Sequence, residues 1–289
     1  MSLWRSLTPP IQETFLIRGT RLLDVVTVAG PDAATYLHGQ LSANITGLGV
    51  GDMAHSLLLQ PQGKMVAWCR VVRTGDESFA IVVDRGAGSA VVERLERFKL
   101  RTRCEITTEE VEAIAVRASE DGVELGESVV DDGRLRFVPL GWSTLAGADV
   151  LDPTAIEGLS ITTAEHLIEP LRIAAGIPAH GSEITERTIP AELPVINMST
   201  DFTKGCYVGQ ELVARMDSRG NNAPRQIRVV IGSGEKPKVG APVAEPEGEI
   251  GVLTSVAAVS DGWVALASIK RAGLDTTAAV VSGQKVEMA

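Results

Sequence analysis

The sequence predicts an α+β protein that ends in a small antiparallel β-barrel or sandwich. Three observations carry this. Three β-rich runs within residues 53–84 are followed by a helical run and a returning strand, the pattern of a compact α+β unit. A second α+β stretch follows residue 133. From Arg225 onward short β-rich runs recur, punctuated by Gly and Pro every eight to twelve residues. At roughly 150 residues per domain, 289 residues make two domains, or three small ones.

In chain order, Arg21 to Val28 reads as a strand. Gly30-Pro31-Asp32 opens a helix in which Ala34, Leu37 and Leu41 share a face. Residues 53–59 and 65–73 form a hairpin, because Gln60-Pro61-Gln62-Gly63 places proline second and glycine fourth in a type I turn. Phe79 to Asp84 is a third strand. The turn Gly86-Ala87-Gly88 leads into a helix over Ser89 to Phe98; it lacks the third glycine of a dinucleotide loop, since Val91 stands there. A strand follows near Cys104 and Ile106. Residues 119–133, acidic and glycine-containing, read as a surface connection. Thr162-Thr163-Ala164-Glu165 has the form of a capping box before a helix that contains Pro170 and stops at Gly176 with Pro178 beyond. Strands are expected over 226–231, 249–259, 263–269 and 276–282, with a boundary near Asn221-Asn222-Ala223-Pro224.

Composition limits the function. Hydrophobic residues at 44% and charged residues at 22% exclude a disordered chain. A net charge of −10 opposes phosphate backbones, so direct nucleic-acid binding is not expected. No run of 18 apolar residues predicts a membrane span. The N-terminus has no apolar signal region, and Cys69, Cys104 and Cys206 have neither disulfide nor zinc spacing. Reduced thiols in the cytoplasm are therefore expected. His38, His55, His166 and His180 show no metal-ligand spacing.

Cys69 and Cys104 lie in strand-like runs and read as structural thiols. Cys206 differs. It sits in Lys204-Gly205-Cys206-Tyr207-Val208-Gly209, between two glycines that allow tight backbone paths and close ligand approach. A helix from Gln210 to Met216 would point its positive end at Cys206, and Lys204 would share its face of an extended segment. Both features favour thiolate.

The string KGCYVGQE resembles the signature of the YgfZ-type folate-binding proteins, relatives of the glycine-cleavage T-protein (aminomethyltransferase). Val28 to Asn44 is similar to the family's "GxDAxxFLxGQxTxD" stretch. Gln60-Pro61-Gln62-Gly63-Lys64, Phe98-Lys99-Leu100-Arg101, Leu171 to Pro178, Ile189 to Glu192 and Ala265 to Arg271 follow in the same order. The resemblance implies a T-protein-like (GcvT-like) three-module α+β arrangement. Residues 1–222 would form a folate-binding region of two interleaved modules, about 1–49 with 122–222, and 50–121. Residues 223–289 would form the C-terminal antiparallel β-barrel.

It also implies tetrahydrofolate as ligand and a role in iron–sulfur cluster assembly or repair and, through it, in tRNA modification, with assembly or client proteins as partners. Cys206 would be the functional thiol and Lys204 its support. Gln40, Asn44, Lys64, Gly205, Tyr207, Gly209, Gln210, Glu211 and Arg215 are the expected binding and loop residues. Arg101, Arg103, Arg219 and Arg225 could meet glutamyl carboxylates. The departures matter. Ala67 and Trp68 stand where T-proteins carry "DD" in "GGIVDDL", and Ala174 replaces the glutamate of "RLEAG". Without a carboxylate to steer protons, aminomethyl transfer is not expected. The alternative, a folate-dependent aminomethyltransferase or demethylase, requires that carboxylate. A folate-free thiol redox protein would require a resolving cysteine near Cys206.

Overall fold

The computed structural model describes residues 15–118, 129–218 and 223–289. The expected boundary residues Asn221 and Asn222, and 119–128 of the acidic connection, lie outside these ranges.

The first strands form one sheet. They are β1 (Leu16–Ala29), β2 (Met53–Leu59), β3 (Met65–Gly75), β4 (Ser78–Asp84) and β5 (Glu105–Ala118). A two-stranded ribbon, β6 (Val130–Asp131) with β7 (Arg134–Leu135), precedes β8 (Phe137–Pro139) and β9 (Ala146–Val150). The sheet order is β2-β3-β4-β1-β5-β9-β8, and β10 (Thr162–Thr163) runs parallel beside β1. β1 pairs with both β4 and β5, so strands from all three expected segments of residues 1–222 share this sheet.

Its strands are apolar on both faces because both are covered, and the period of two sorts the side chains. Ala67, Cys69, Val71, Ile81 and Val83 pack under α1 (Ala33–Gln40) and α2 (Gly88–Phe98). Leu23, Val25, Val72, Ala80 and Val82 face the other way. α2 needs no capping residue of its own, since Asp24 Oδ2 accepts from Gly86 N at 2.8 Å and Gly88 N at 2.7 Å. The loop Gly86-Ala87-Gly88 is thus a strand-to-helix turn.

The capping box expected before α3 (Glu165–Ala174) does not form. Thr162 and Thr163 pair with Ile17 and Arg18 of β1, and Glu165 Oε2 instead accepts from Thr20 N at 2.6 Å. A free main-chain edge outcompeted a local cap. The helix runs through Pro170 and stops at Gly176, whose φ is +76°.

After α4 (Ile196–Ser199) and α5 (Gln210–Ser218) come β11 (Arg225–Gly232), β12 (Pro242–Glu245), β13 (Gly248–Val259), β14 (Gly262–Lys270), β15 (Ala278–Val281) and β16 (Gln284–Met288). They close as a barrel in the order β11-β14-β13-β12-β15-β16. Trp263, Val230, Leu253, Val281 and Val286 fill it. Val264 and Leu266 on its outside pack against Ile173 and Ala174 of α3, which joins the barrel to the sheet. No helix among the described residues is long and apolar enough to cross a membrane.

Candidate functional site

The segment from Asp201 to Arg215 is built by hydrogen bonds that reach far back in the chain. Asp201 N donates to Ser42 O at 3.0 Å. The Asp201 carboxylate then turns the chain: Oδ1 accepts from Thr203 N at 2.8 Å, Thr203 Oγ1 at 2.6 Å and Lys204 N at 3.2 Å. Lys204 Nζ donates to three carbonyls, His38 O at 2.5 Å, Leu41 O at 2.6 Å and Ala43 O at 2.9 Å. These lie at and beyond the C-terminal end of α1, where carbonyls lack helical partners and a cation is favoured. The ammonium also lies 5.2 Å from the Tyr207 ring centroid. Burial lowers the Lys204 pKa to about 8, with Asp201 opposing.

Beyond the thiol, Val208 N donates to Gly39 O at 3.2 Å, and Tyr207 N to Gln210 Oε1 at 3.0 Å. Gly209 has φ +87°; a Cβ there would stand 2.7 Å from Gln60 O and 2.8 Å from Leu59 Cβ. Across from it Gly63, φ +82°, leaves room for Leu212 of α5. The Gln60–Gly63 turn and the entry to α5 therefore touch backbone to backbone, and only glycine fits on each side. Gly205 has no neighbour within 4 Å of a built Cβ, so its position is not sterically dictated. Tyr207 and Val213 are buried with Leu57, Leu59 and Met65. Glu211 and Arg215 pair with each other one turn apart on the surface.

Cys206 is exposed on this anchored loop, whereas Cys69 and Cys104 are buried. Cys69 Sγ donates to Ser56 O at 3.3 Å, and burial pushes its pKa to about 12. Burial also raises that of Cys104.

Three of the expected ligand contacts are engaged locally or point to solvent. Gln40 Oε1 accepts from Arg94 Nη1 at 3.2 Å. Asn44 Oδ1 accepts from Thr46 Oγ1 and Gly47 N, both at 3.2 Å, and closes its own turn. Lys64 is exposed. None of the three lines the cavities described below. Of the arginines, Arg103 is held by Asp32, with Nη2 at 2.9 Å from Oδ1. Arg101 sits at φ +54° beside the exposed Leu100. Arg225 lines a cavity of about 410 Å³ between the barrel and the 182–193 loop. Arg219 lies outside the described residues.

Ala67 faces the helical core, 1% exposed, while Trp68 lies on the other side of the sheet. Trp68 stacks on His55 with centroids 5.1 Å apart, meets Trp142 edge-on at 5.8 Å, and donates Nε1–H to Ser199 Oγ at 2.9 Å. Beside it lies a charged cluster that the sequence reading missed. Asp149 is fully buried and bound by Arg70 at 2.5 Å, Arg117 at 2.8 Å and Arg21 at 3.4 Å. Burial pushes the Asp149 carboxyl up, but Arg117, Arg70 and Arg21 outweigh it and hold it far below the usual carboxylate range. Arg21 also pairs with Asp84, and both line a cavity of about 330 Å³ with Arg117 and Arg172. Arg172 ties α3 to the barrel, donating to Ser255 Oγ at 2.9 Å while Ser255 donates to Glu183 at 2.7 Å. The signal for this cluster was an Arg or Asp set among apolar residues in each strand: Arg21, Arg70, Arg117 and Asp149. Among the described residues no group of three His, Cys, Asp or Glu side chains could hold a metal ion.

No family model matches the chain. It is 30% identical to the mitochondrial iron-sulfur cluster assembly factor IBA57 homolog of Neurospora crassa, over 68% of this chain and 49% of that protein. The chain spans about half the length of this and a second fungal IBA57 homolog. It is 25% identical to the tRNA-modifying protein YgfZ of an Enterobacter species, over 83% of this chain and 80% of that protein. The crystal structure of the glycine cleavage system aminomethyltransferase T from Bartonella henselae superposes with a TM-score of 0.75, covering 98% of this chain and 89% of that one at 19% identity. The chain is therefore similar to the YgfZ and IBA57 proteins over most of its length, and it carries the aminomethyltransferase T fold.

Proposed function

We propose that this chain is a tetrahydrofolate-binding factor that supports iron–sulfur cluster assembly or repair, and through it tRNA modification, without transferring aminomethyl groups itself. The observation that carries the reading is Cys206: an exposed thiol on a loop that Lys204 anchors to three carbonyls and that Gly209 seats against the Gln60–Gly63 turn. A fixed, accessible thiol is what a sulfur- or iron-handling step needs, and nothing in the packing demands a cysteine there. Lys204, Gly205, Tyr207, Gly209, Gln210, Glu211 and Arg215 form and position the loop. The names of the relatives, iron-sulfur cluster assembly factor and tRNA-modifying protein, support the same role, with assembly or client proteins as partners. Aminomethyl transfer is disfavoured because Ala67 is turned into the core and Trp68 offers no carboxylate.

The test is complementation. In cells lacking the protein, Cys206→Ser should fail to restore iron–sulfur enzyme activity while Cys69→Ser and Cys104→Ser restore it. Full restoration by Cys206→Ser would overturn the reading. Calorimetry with tetrahydrofolate tests the ligand separately.

A further inference from the structure

The main sheet has an open edge in its middle. β5 pairs with β1 along its whole length, Glu105 to Ala118, but β9 reaches only Ile114 to Ala118 on its other side. Among the described residues, 105–113 therefore have a neighbouring strand on one side only. Which main-chain groups are open follows from the far side of β1. There Arg18 O accepts from Ala164 N at 2.9 Å, and Thr20 N donates to Glu165 Oε2 at 2.6 Å. Arg18 and Thr20 thus turn their main-chain groups away from β5. Opposite residues of an antiparallel pair either face each other with these groups or both face away. Arg18 lies opposite Val116 and Thr20 opposite Ile114, so both β5 residues turn towards β9. The register has no bulge, and the alternation carries down the strand to Glu112, Glu110, Thr108 and Ile106. Each of these turns its N–H and C=O to the open side, and no hydrogen bond among the described residues uses them.

An open edge invites another strand, and proteins blunt it by short length, proline, a bulge, a cover or charge. This stretch contains no proline and no bulge. It is guarded by charge: Glu105, Glu109, Glu110 and Glu112 are all exposed. Ile106 packs on the side of α1 and α2, and Val111 on the opposite face of the sheet. With a period of two, Glu110 and Glu112 fall on the first face and Glu105 and Glu109 on the second. Arg85, 2.7 Å from Glu110, is the one cation that pairs with these glutamates among the described residues. Two copies of this edge laid side by side would set glutamate close to glutamate, which is destabilising, in a chain already at −10. A strand carrying lysine or arginine would meet opposite charge on both faces.

We propose that residues 105–113 are a docking edge for a basic, extended segment of a partner protein, which joins the main sheet as a further strand beside β5. Main-chain bonds to Ile106, Thr108, Glu110 and Glu112 supply the pairing, and the glutamates select the charge of the incoming strand. At about 3.3 Å per residue the open stretch is about 30 Å long, room for a strand of ordinary length. The inference stands independently of the folate reading and of Cys206.

The experiment titrates the full chain at low salt with a labelled lysine–threonine peptide that carries lysines on both strand faces, read by fluorescence anisotropy. Saturable binding is expected. Bound peptide should slow hydrogen exchange at the amides of Ile106, Thr108, Glu110 and Glu112. The amides of Glu105, Thr107 and Glu109, which turn to β1, should change little. N-methylating every second peptide amide keeps the charge and removes donors; tested in both registers, it should weaken binding tenfold or more in at least one. Glu109→Lys with Glu112→Lys should weaken binding by a similar factor. Glu112→Pro, which removes an outward N–H that β1 does not use, should do the same. Circular dichroism checks that each variant is folded, and the methylated peptides need only the unaltered chain. No binding of the basic peptide would overturn the inference. So would equal binding of both methylated peptides, or binding without protection of the outward amides, since charge alone would then account for it. Dimerisation of the unaltered chain in sedimentation, abolished by Glu112→Pro, would give the edge to a second copy and overturn it too.

Discussion

Asp149 and Cys206 each sit at the centre of a polar cluster, and the two clusters are built differently. Around Asp149 every partner is a charged side chain from the sheet: Arg21 from β1, Arg70 from β3 and Arg117 from β5. Around Cys206 the fastening is main-chain: Lys204 on carbonyls of residues 38–43, Val208 N on Gly39 O, and glycine against glycine at residues 63 and 209. The first arrangement removes charge from water and must be complete to be tolerated. The second leaves its central group exposed and fixes only the path of the chain. The comparison separates polar residues that hold the sheet together from those that present chemistry. Substitutions should divide along the same line.

The largest effect is expected at Asp149. Asp149→Asn leaves Arg117 and Arg70 buried without their counter-charge, which costs about 3–5 kcal/mol. Chemical denaturation should show that loss. Arg215→Ala, which removes a surface pair with Glu211, should change stability by only about 0.3–0.5 kcal/mol. Equal effects would erase the distinction between the two kinds of cluster.

Next in size is the loop. Gly209→Ala forces a side chain into a left-handed backbone with its Cβ 2.7 Å from Gln60 O. Strain and overpacking together should cost about 2–4 kcal/mol. Gly205→Ala, where a built Cβ meets nothing within 4 Å, should fall within about 0.5 kcal/mol of the unaltered chain. Similar losses at both positions would mean that the loop is not seated as described.

Much of this was legible beforehand, and the failures share a cause. The hairpin turn, α2 and the barrel follow from local signals: proline and glycine at set turn positions, a 3.6-residue period, and regular Gly and Pro spacing. The strands β12 and β16 were missed because Pro242–Glu245 and Gln284–Met288 are short and carry charged residues. Closure into a barrel depends on β16 meeting β11 across more than 50 residues, which no local pattern encodes. The Thr162–Glu165 cap failed for the same reason, since the competing partner, β1, is about 145 residues away. At the site, KGCYVGQE marked the loop, yet Lys204 donates to carbonyls more than 160 residues upstream. His55 read as an unremarkable histidine; its stacking on Trp68 and a buried Nδ1 with no partner among the described residues single it out.

The thiols offer a third, smaller contrast, in rate. Cys206 is exposed, whereas Cys69 is buried and its pKa pushed to about 12. Timed alkylation of the native protein with mass spectrometry should label Cys206 faster than either buried thiol by on the order of 100-fold. Labelling of Cys69 at a comparable rate would show the sheet opening on the timescale of the reaction.

The smallest effect concerns His55, and its sign follows from the folded and unfolded pKa values. Folding lowers the pKa from 6.5 to about 4, through burial first and the charge of Arg70 second. Between these values the unfolded chain binds the proton and the folded chain does not, so acidification favours unfolding. The contribution of His55 to stability is complete above pH 6.5, is lost as pH falls through that window, and shows no further loss below about pH 4. Carboxylates titrate in the same range, so the difference between the unaltered chain and His55→Phe is the informative quantity. Phe keeps a ring against Trp68 and removes the titrating nitrogen. The melting temperature of His55→Phe should therefore fall less steeply from pH 6.5 to 4 than that of the unaltered chain. The two curves should run parallel above pH 7. Parallel curves throughout would mean that His55 takes up its proton as readily in the folded chain as in the unfolded one. The lone pair on Nδ1 would then be open to water rather than buried.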